Sequence, residues 1–359
     1  MTMNSIAIKI LIFTASFIKR AVLKSFTNIL KIILLLFLFL PSAAKGQLLN
    51  NSVISKEGLI RSIEALTRAE TEGRSTGSSG IALARDYIYD GFIEAGLQTM
   101  ERSYGIGFYH FKDNEKLLGV NVVGVVEADS SLSCNESIVI AAHYDHIGII
   151  EGKLYSGADN NASGVAALIE IAKQISHLKK EGGLKLKRNM IFAALDAKEN
   201  DLSGSRHFIE SYNNERFGKI ILMVNLNQIG TTLAPPQQAK TMELLPKNYL
   251  LILGREEVDS SHSKALATLE ECNRRGGYNM VLDYTFYGSK EFYNYFNNIG
   301  DQTIFRERGI PALLITSGFN KYTLKPEDRA DKINYNALLQ RCSLLALWLG
   351  NIANQNYGL

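Results

Sequence analysis

Two polar stretches that follow short apolar runs hold the side chains in this sequence best suited to chemistry. His143 and Asp145 stand two residues apart, and GADNNASG (157–164) comes soon after them. Side chains two apart on an extended segment project on the same face, so the carboxylate can orient the imidazole as a metal ligand. Each stretch also has an ordinary structural explanation, because a histidine at a strand end is commonly structural and Ser163 can cap a helix.

Two further apolar runs lead into polar residues. RNMIFAALD (188–196) precedes Lys198 and Glu199, and IILMVNLNQIG (220–230) contains Asn227. The carboxyl ends of parallel strands meet at one edge of a sheet, which is where open α/β sheets bind their ligands. The combination at three strand ends indicates the site of a metal-dependent hydrolase, which no single stretch would indicate alone.

The elements that must position these residues alternate between strand and helix. Apolar and β-branched runs predict strands at 119–127, 137–143, 188–196, 220–230, 248–254 and 310–316. Helical periodicity predicts helices at 56–69, 80–96, 163–180, 203–214, 260–275 and 334–351. This alternation predicts an α/β fold, a three-layer sandwich around a mixed, largely parallel central sheet.

Composition excludes several classes of protein. The 359 residues are 46% hydrophobic and 21% charged, which is ordinary for a globular chain with a substantial core. The net charge of +3 gives no case for nucleic-acid binding. The three cysteines are too few for a disulfide framework, and their spacing matches no zinc motif.

The N-terminal segment has the pattern of a secretory leader. Basic residues precede IILLLFLFL (32–40), and PSAAKGQ (41–47) offers small residues before Gln47. We therefore predict a signal peptide with a long n-region at 1–46 and a single domain at 47–359. The apolar run is shorter than the roughly 20 residues of a membrane-spanning helix, so export to the periplasm, cell surface or medium is expected, with no stable span after cleavage. The alternative is an uncleaved anchor, and translation could begin after Met1.

Six segments, in order, resemble the zinc aminopeptidase family that includes secreted bacterial leucyl aminopeptidases, glutamate carboxypeptidases, glutaminyl cyclases and the transferrin receptor. They are EGRSTGSSGIALARDYIYDGFIEAGL (72–97), AAHYDHIG (141–148), GADNNASGVAALIEIA (157–172), FAALDAKENDLSGSRHF (192–208), MVNLNQIG (223–230) and KPEDRADKINY (325–335). The resemblance covers nearly everything from residue 55 to residue 350. It implies a zinc-aminopeptidase-like fold, two zinc ions that share a bridging aspartate, and a glutamate as general base.

Carried over position by position, the resemblance implies that two of five metal ligands remain. His143 and Glu199 are present, and in the family they belong to different metals. The replaced ligands are Asn160 at the bridging position, Asn227 on the next strand and Leu324 in the closing loop. Catalytic zinc requires about three protein ligands, so no cofactor is predicted, apart from a possible weakly bound single metal.

The resemblance also implies that the general base is lost. Its position holds Lys198, and a supporting histidine beside Asp301 is replaced by Gln302. Loss of a general base alone costs a factor of about 10² to 10⁴ in rate. The supporting carboxylates of the cleft are retained as Asp145, Asp159 and Asp301.

Charge makes these replacements mutually consistent. In the family the four positions held here by Asn160, Lys198, Glu199 and Asn227 are all carboxylates, whereas in this chain their charges cancel. Burying four carboxylates without a metal would be costly. We infer that Lys198 replaces the metals as the local cation and pairs with Glu199 or Asp159. The alternative is that Lys198 points to solvent.

Two functions from different classes follow from the sequence. The first is a catalytically degenerate pseudopeptidase that binds a peptide, glycan or protein in the old cleft. The alternative is an active zinc-dependent exopeptidase with a rearranged single-metal site built from His143, His146, Asp159 and Glu199. Against it, His146 should face away from His143 on an extended segment. Hydrolysis by a nucleophilic serine lacks a G-x-S-x-G signal.

Overall fold

The computed structural model describes residues 52–112, 114–232, 248–262, 264–285 and 288–355. The leader predicted at 1–46, its cleavage site and the first residues of the domain predicted at 47–359 lie outside these ranges. Among the helices that are described, none is both long enough and apolar enough to cross a membrane.

One mixed sheet of nine strands forms the centre of the described chain. Its strands are β1 (Gln98–Thr99), β2 (Gly105–Lys112), β3 (Glu115–Val126), β4 (Glu136–His143), β7 (Asn189–Leu195), β8 (Lys219–Leu226), β9 (Tyr249–Leu253), β10 (Val281–Asp283) and β11 (Ala312–Thr316). The order is β1-β3-β7-β4-β8-β11-β9-β10, with β2 also paired to β3. A separate ribbon joins β5 (Gly148–Ile150) to β6 (Lys153–Tyr155).

The central strands of this sheet run parallel. β4 pairs in parallel with both β7 and β8, and β8 pairs in parallel with β11. β3 and β9 flank this group and run antiparallel to their neighbours β7 and β11. The parallel strands are buried almost throughout, as expected for a sheet covered on both faces.

Ten helices of the described ranges cover the two faces. They are α1 (Lys56–Thr67), α2 (Ser79–Glu94), α3 (Ser163–Lys180), α4 (Ser203–Ser211), α5 (Asn214–Phe217), α6 (Arg255–His262), α7 (Lys264–Arg275), α8 (Lys290–Asn297), α9 (Gln302–Glu307) and α10 (Tyr335–Asn354). Helices α1, α2 and α10 pack against α3 on one face. On the other face α4 meets α9, where the rings of Phe208 and Phe305 lie 5.8 Å apart. The predicted three-layer α/β sandwich with a mixed, largely parallel sheet is confirmed.

Side-chain caps mark five of the ten helix starts in the described ranges, and the differences from the predicted elements are small. The Ser78 hydroxyl accepts the Ile81 amide at the start of α2, and Asn334 caps α10 in the same way. The helix predicted at 260–275 corresponds to the last residues of α6 and to α7, which lie on either side of Ser263. The strand predicted at 220–230 ends at Leu226, because the residues after it turn into the polar edge of the sheet.

Candidate functional site

Parallel strands β4 and β8 bring the first two candidate residues to one edge of the sheet. His143 is the last residue of β4, and Asn227 directly follows β8. The register pairs Ala141 with Asn225, so two residues further along His143 and Asn227 lie side by side. The Asn161 side-chain amide ties the two ends together, because it donates to the carbonyl oxygens of His143 (3.3 Å) and Leu226 (2.9 Å).

His143 is completely buried and is oriented by Asp145. Its Nδ1 lies 3.1 Å from the Asp145 carbonyl oxygen and 3.6 Å from Asp145 Oδ1. Both are acceptors, so Nδ1 carries the proton and Nε2 of a neutral ring presents a lone pair. Although burial alone would raise the pKa of Asp145, its hydrogen bonds with His143 and with two main-chain amides lower that pKa below its ordinary value. The position that the resemblance assigns to the first metal ligand therefore holds a buried histidine oriented by Asp145.

Asp145 also shapes the turn that carries the former general base. Its two carboxylate oxygens accept the main-chain amides of Lys198 (3.0 Å) and Glu199 (2.9 Å). Lys198 Nζ then donates to Glu199 Oε1 at 2.9 Å. The two side chains are only 14% and 23% exposed, so the predicted pairing of Lys198 with Glu199 is confirmed and Lys198 does not extend freely into solvent. Burial opposes the charge, but Glu199 outweighs it and raises the pKa of Lys198 above its ordinary value.

Asp159, the other partner considered for Lys198, is occupied by four different donors. Its carboxylate accepts the Gly230 amide (2.7 Å) and the hydroxyls of Thr231 (2.8 Å) and Ser163 (3.0 Å). The Asn320 amide completes the set at 2.9 Å. Burial outweighs these hydrogen bonds and raises the pKa of Asp159. Asp159 therefore supports the turn from within and is no partner of Lys198.

The closing loop holds the turn at the bridging-ligand position through Asp328. The Asp328 carboxylate accepts the main-chain amides of Asp159 (2.8 Å) and Asn160 (3.0 Å). Burial and the neighbouring Asp159 charge raise the pKa of Asp328 to about 7. In the same loop Leu324, which stands where the family has a histidine, is half exposed and has no group that could bind a metal.

Asp301 and Gln302 begin α9 beside the end of β8. The side-chain Oε1 of Gln302 accepts a hydrogen bond from the Asn225 side-chain amide at 2.7 Å, so this residue is tied to β8. Asp301 is buried, and burial raises the pKa of its carboxyl. The nearby Ser205 hydroxyl donates to the Leu202 carbonyl oxygen instead, which leaves both Asp301 oxygens without a hydrogen-bond partner among the described residues.

The residues present do not fit a zinc centre. Across the described ranges, no three side chains of His, Cys, Asp and Glu form a group that could hold a metal ion. In particular, His143, His146, Asp159 and Glu199 do not gather as the single-metal alternative requires. Burial and the nearby Arg74 charge hold the pKa of His146 well below its ordinary value, so this ring is neutral, and neither of its nitrogens finds a partner among described residues.

Three positioning residues were not singled out from the sequence, and one of them is Arg74. Its buried guanidinium donates to the carbonyl oxygens of Tyr144 (2.8 Å), Ser156 (2.7 Å) and Gly157 (2.9 Å), which fixes the segments on both sides of the β5–β6 ribbon. Asp328 and Asp196 are the other two. All three are charged residues within the segments that resemble the family (72–97, 192–208 and 325–335). Their place in these segments is the sequence signal that could have identified them.

One open cavity of the described chain lies away from these residues. It has a volume of about 710 Å³ and lies beside the carboxyl end of β3 and the last turns of α3. Because β3 runs antiparallel to β7, that end of β3 meets the start of β7, at the sheet edge opposite to His143. This cavity is not part of the candidate site.

Comparison with known proteins gives matches along most of the chain. Residues 121–349 match the model of peptidase family M28. The alkaline phosphatase isozyme conversion protein of Escherichia coli (strain K12) is 24% identical over 191 residues, which is 49% of this chain and 52% of that protein. The match thus spans about half the length of that relative.

Solved structures match over a larger share. The aminopeptidase from Aneurinibacillus sp. strain AM-1 superposes with a TM-score of 0.62 and 16% identity, covering 85% of this chain and 96% of that one. The glutaminyl cyclase of Porphyromonas gingivalis superposes with a TM-score of 0.61 and 14% identity, covering 84% and 99%. At these identities the structural matches establish the fold alone.

Proposed function

The chain belongs to peptidase family M28, and we propose that it is a non-catalytic member whose di-zinc centre has become a zinc-free polar network. The ion pair between Lys198 and Glu199 carries this proposal. One residue occupies the base position with a positive charge, and the same residue engages the carboxylate that would have bound a metal. A single contact therefore removes the two functions that hydrolysis requires at this turn.

Peptide hydrolysis needs an activated water and a group that accepts its proton. The ammonium of Lys198, whose pKa is raised by Glu199 even against the effect of burial, cannot accept a proton near neutral pH. Asn160 and Asn227 offer neutral amide oxygens, which are weak zinc ligands, and Leu324 offers none. The carboxylates of Asp145 and Asp159 do not replace the base, because both are held by their own donors.

The role we propose for the old cleft is binding of an extracytoplasmic peptide, with a glycan or a folded protein as the other outcomes of the test. Lys198 and Glu199 carry partly exposed charges, with side chains that are 14% and 23% exposed. Of the other ligand positions in the described chain, Leu324 is exposed, and His143, Asn160 and Asn227 are buried. Adjacent opposite charges suit the main-chain and terminal groups of a peptide. Export is proposed from the leader pattern at 1–46.

Turnover of aminoacyl anilides tests the loss of catalysis. The protein should show no hydrolysis above background in zinc, after chelation, or after chelation followed by zinc. A variant in which Asn160→Asp, Lys198→Glu, Asn227→Asp and Leu324→His restore the family residues provides the comparison. Chelator-sensitive turnover by the unaltered protein would instead support an active exopeptidase with a rearranged metal site.

Binding is tested separately by fluorescence anisotropy with labelled peptides that carry a free or an acetylated N-terminus. Binding should weaken at least tenfold in Lys198→Met and remain unchanged in Lys185→Met, because Lys185 is an exposed lysine remote from the site. Equal binding by both variants would place the peptide surface elsewhere.

A further inference from the structure

Five buried atoms at the former zinc centre have no hydrogen-bond partner among the residues that the structure describes. They are His143 Nε2, Asn160 Oδ1, Asn227 Oδ1 and both carboxylate oxygens of Asp301. Each of the four side chains is more than nine-tenths buried. Buried polar atoms are nearly always satisfied, so a concentration of unsatisfied ones indicates that another group completes the site.

The chain topology places these atoms together. His143 and Asn227 are neighbours in the continued register of β4 and β8. Asn160 immediately precedes Asn161, whose amide spans the two strand ends. Asp301 immediately precedes Gln302, which is hydrogen-bonded to Asn225 on β8. The residues that carry the orphaned atoms therefore lie at the same carboxyl edge of the sheet.

All five atoms are acceptors in the orientation that the structure gives. In the neutral form of the His143 ring, Nδ1 is the donor and Nε2 presents a lone pair. The four former metal-ligand and base positions cancel in charge, but Asp145 and Asp301 place two further carboxyl groups beside them. Lys198 is engaged by Glu199, and in the described ranges no cation forms an ion pair with Asp301. The missing group must therefore be a donor or a cation.

We propose that a small monovalent cation of the class K⁺, Na⁺ or NH₄⁺ binds between Asp301, Asn160, Asn227 and His143. Amide and carboxylate oxygens are the ligands that hard cations prefer, and a single free carboxylate balances one positive charge, which favours a monovalent ion over a divalent one. Each water molecule can donate only two hydrogen bonds, so several ordered waters would be needed to satisfy five acceptors. One cation balances the Asp301 charge and contacts all of them. The inference rests on the proposed loss of zinc, because a zinc ion would compete for the same atoms.

Thermal melting at constant ionic strength provides the test. The mature protein is melted in about 0.1 M choline chloride and, separately, in the same concentration of KCl, NaCl or NH₄Cl, which is close to physiological ionic strength. Choline is too large for the site, so at least one small cation should raise the melting temperature by roughly 3 °C or more when its concentration is well above the dissociation constant. Asp301→Asn should abolish the difference between salts. Asp201→Asn, in which a 90% exposed carboxylate is changed, should retain it.

The outcomes separate this inference from the proposed function. Should Asp301→Asn not fold, Asn227→Leu removes a second ligand and must also abolish the salt difference. Identical melting in all four salts overturns the cation site in favour of ordered water, and leaves the loss of zinc untouched. Stoichiometric zinc in the same preparation would refute both. If KCl or NH₄Cl is the stabilising salt, crystals soaked with RbCl must show an anomalous peak beside Asp301, and its absence would refute the site.

Discussion

Replacing Lys198 tests whether the former metal centre was rebuilt around a cation. In Lys198→Glu, a new carboxylate would lie beside Glu199, with Asp145 and Asp301 close enough to influence the charge at this position. The change removes a 2.9 Å ion pair between side chains that are 14% and 23% exposed, and it adds repulsion. Breaking a buried pair costs about 3 to 5 kcal/mol, and the partial exposure places this case near the lower end.

A loss of about 3 kcal/mol lowers the melting temperature of a domain of this size by roughly 6 to 12 °C. Lys198→Met leaves Glu199 unpaired but adds no charge, and Glu199 can turn toward water, so about 1 kcal/mol and a few degrees are expected. Differential scanning fluorimetry, with circular dichroism to verify the fold, measures both shifts. Added zinc should not rescue Lys198→Glu, because Asn160, Asn227 and Leu324 still leave the metals short of ligands.

The control is the same pair of changes at exposed Lys185, which should alter the melting temperature by less than about 2 °C. If both Lys198 variants have the same melting temperature as the unaltered protein, the ion pair does not stabilise the folded state and the electrostatic reasoning is refuted. If zinc restores the melting temperature of Lys198→Glu, the remaining ligands suffice to bind metal and the count of lost ligands is wrong.

Three further predictions concern the rest of the chain. N-terminal sequencing of the exported protein should begin at Gln47, and an intact leader in a membrane fraction would favour an anchor. Arg74→Met should lower the free energy of unfolding by about 3 to 5 kcal/mol, because at least three buried carbonyl oxygens lose their donor. Urea denaturation measures this loss, and an unchanged midpoint would contradict it. Burial, and next the Asp145 charge, raise the pKa of Asp196 to about 7 from an ordinary 3.8, so the native state binds this proton more tightly than the unfolded chain. The stability that this tighter proton binding contributes is complete below about pH 4 and is lost as the pH rises toward 7. Asp196→Asn should therefore reduce the fall in melting temperature between pH 4 and pH 7. An unchanged fall in melting temperature would contradict this reasoning.

The sequence predicts the sheet well because its central strands are buried on both faces. Strands such as β4 and β7 are continuous apolar runs, and none of their predicted ends differs from the structure by more than one residue. Strand β2 was not predicted, because it alternates between buried and exposed residues and includes Gly105 and Gly107. A short apolar run is a strong signal, whereas a half-exposed edge strand is a weak one.

Identities at the candidate site were readable from the sequence, but partners were not. Its place in the motifs predicts that Lys198 holds the base position, and its two candidate partners could not be distinguished without the structure. The choice depends on Gly230, Thr231 and Asn320, which lie more than 70 residues from Asp159 and satisfy its carboxylate. Long-range hydrogen bonds of this kind leave no periodic pattern in the sequence.

The metal content of the purified protein tests the central claim most directly. The mature protein is dialysed against micromolar zinc, separated from free metal, and measured by inductively coupled plasma mass spectrometry, with the four-residue restored variant treated in parallel. With two ligand positions retained and no metal-binding group across the described ranges, the unaltered chain should carry well under one zinc per molecule. One or two tightly held zinc ions per chain, removable only by a strong chelator, would contradict the account.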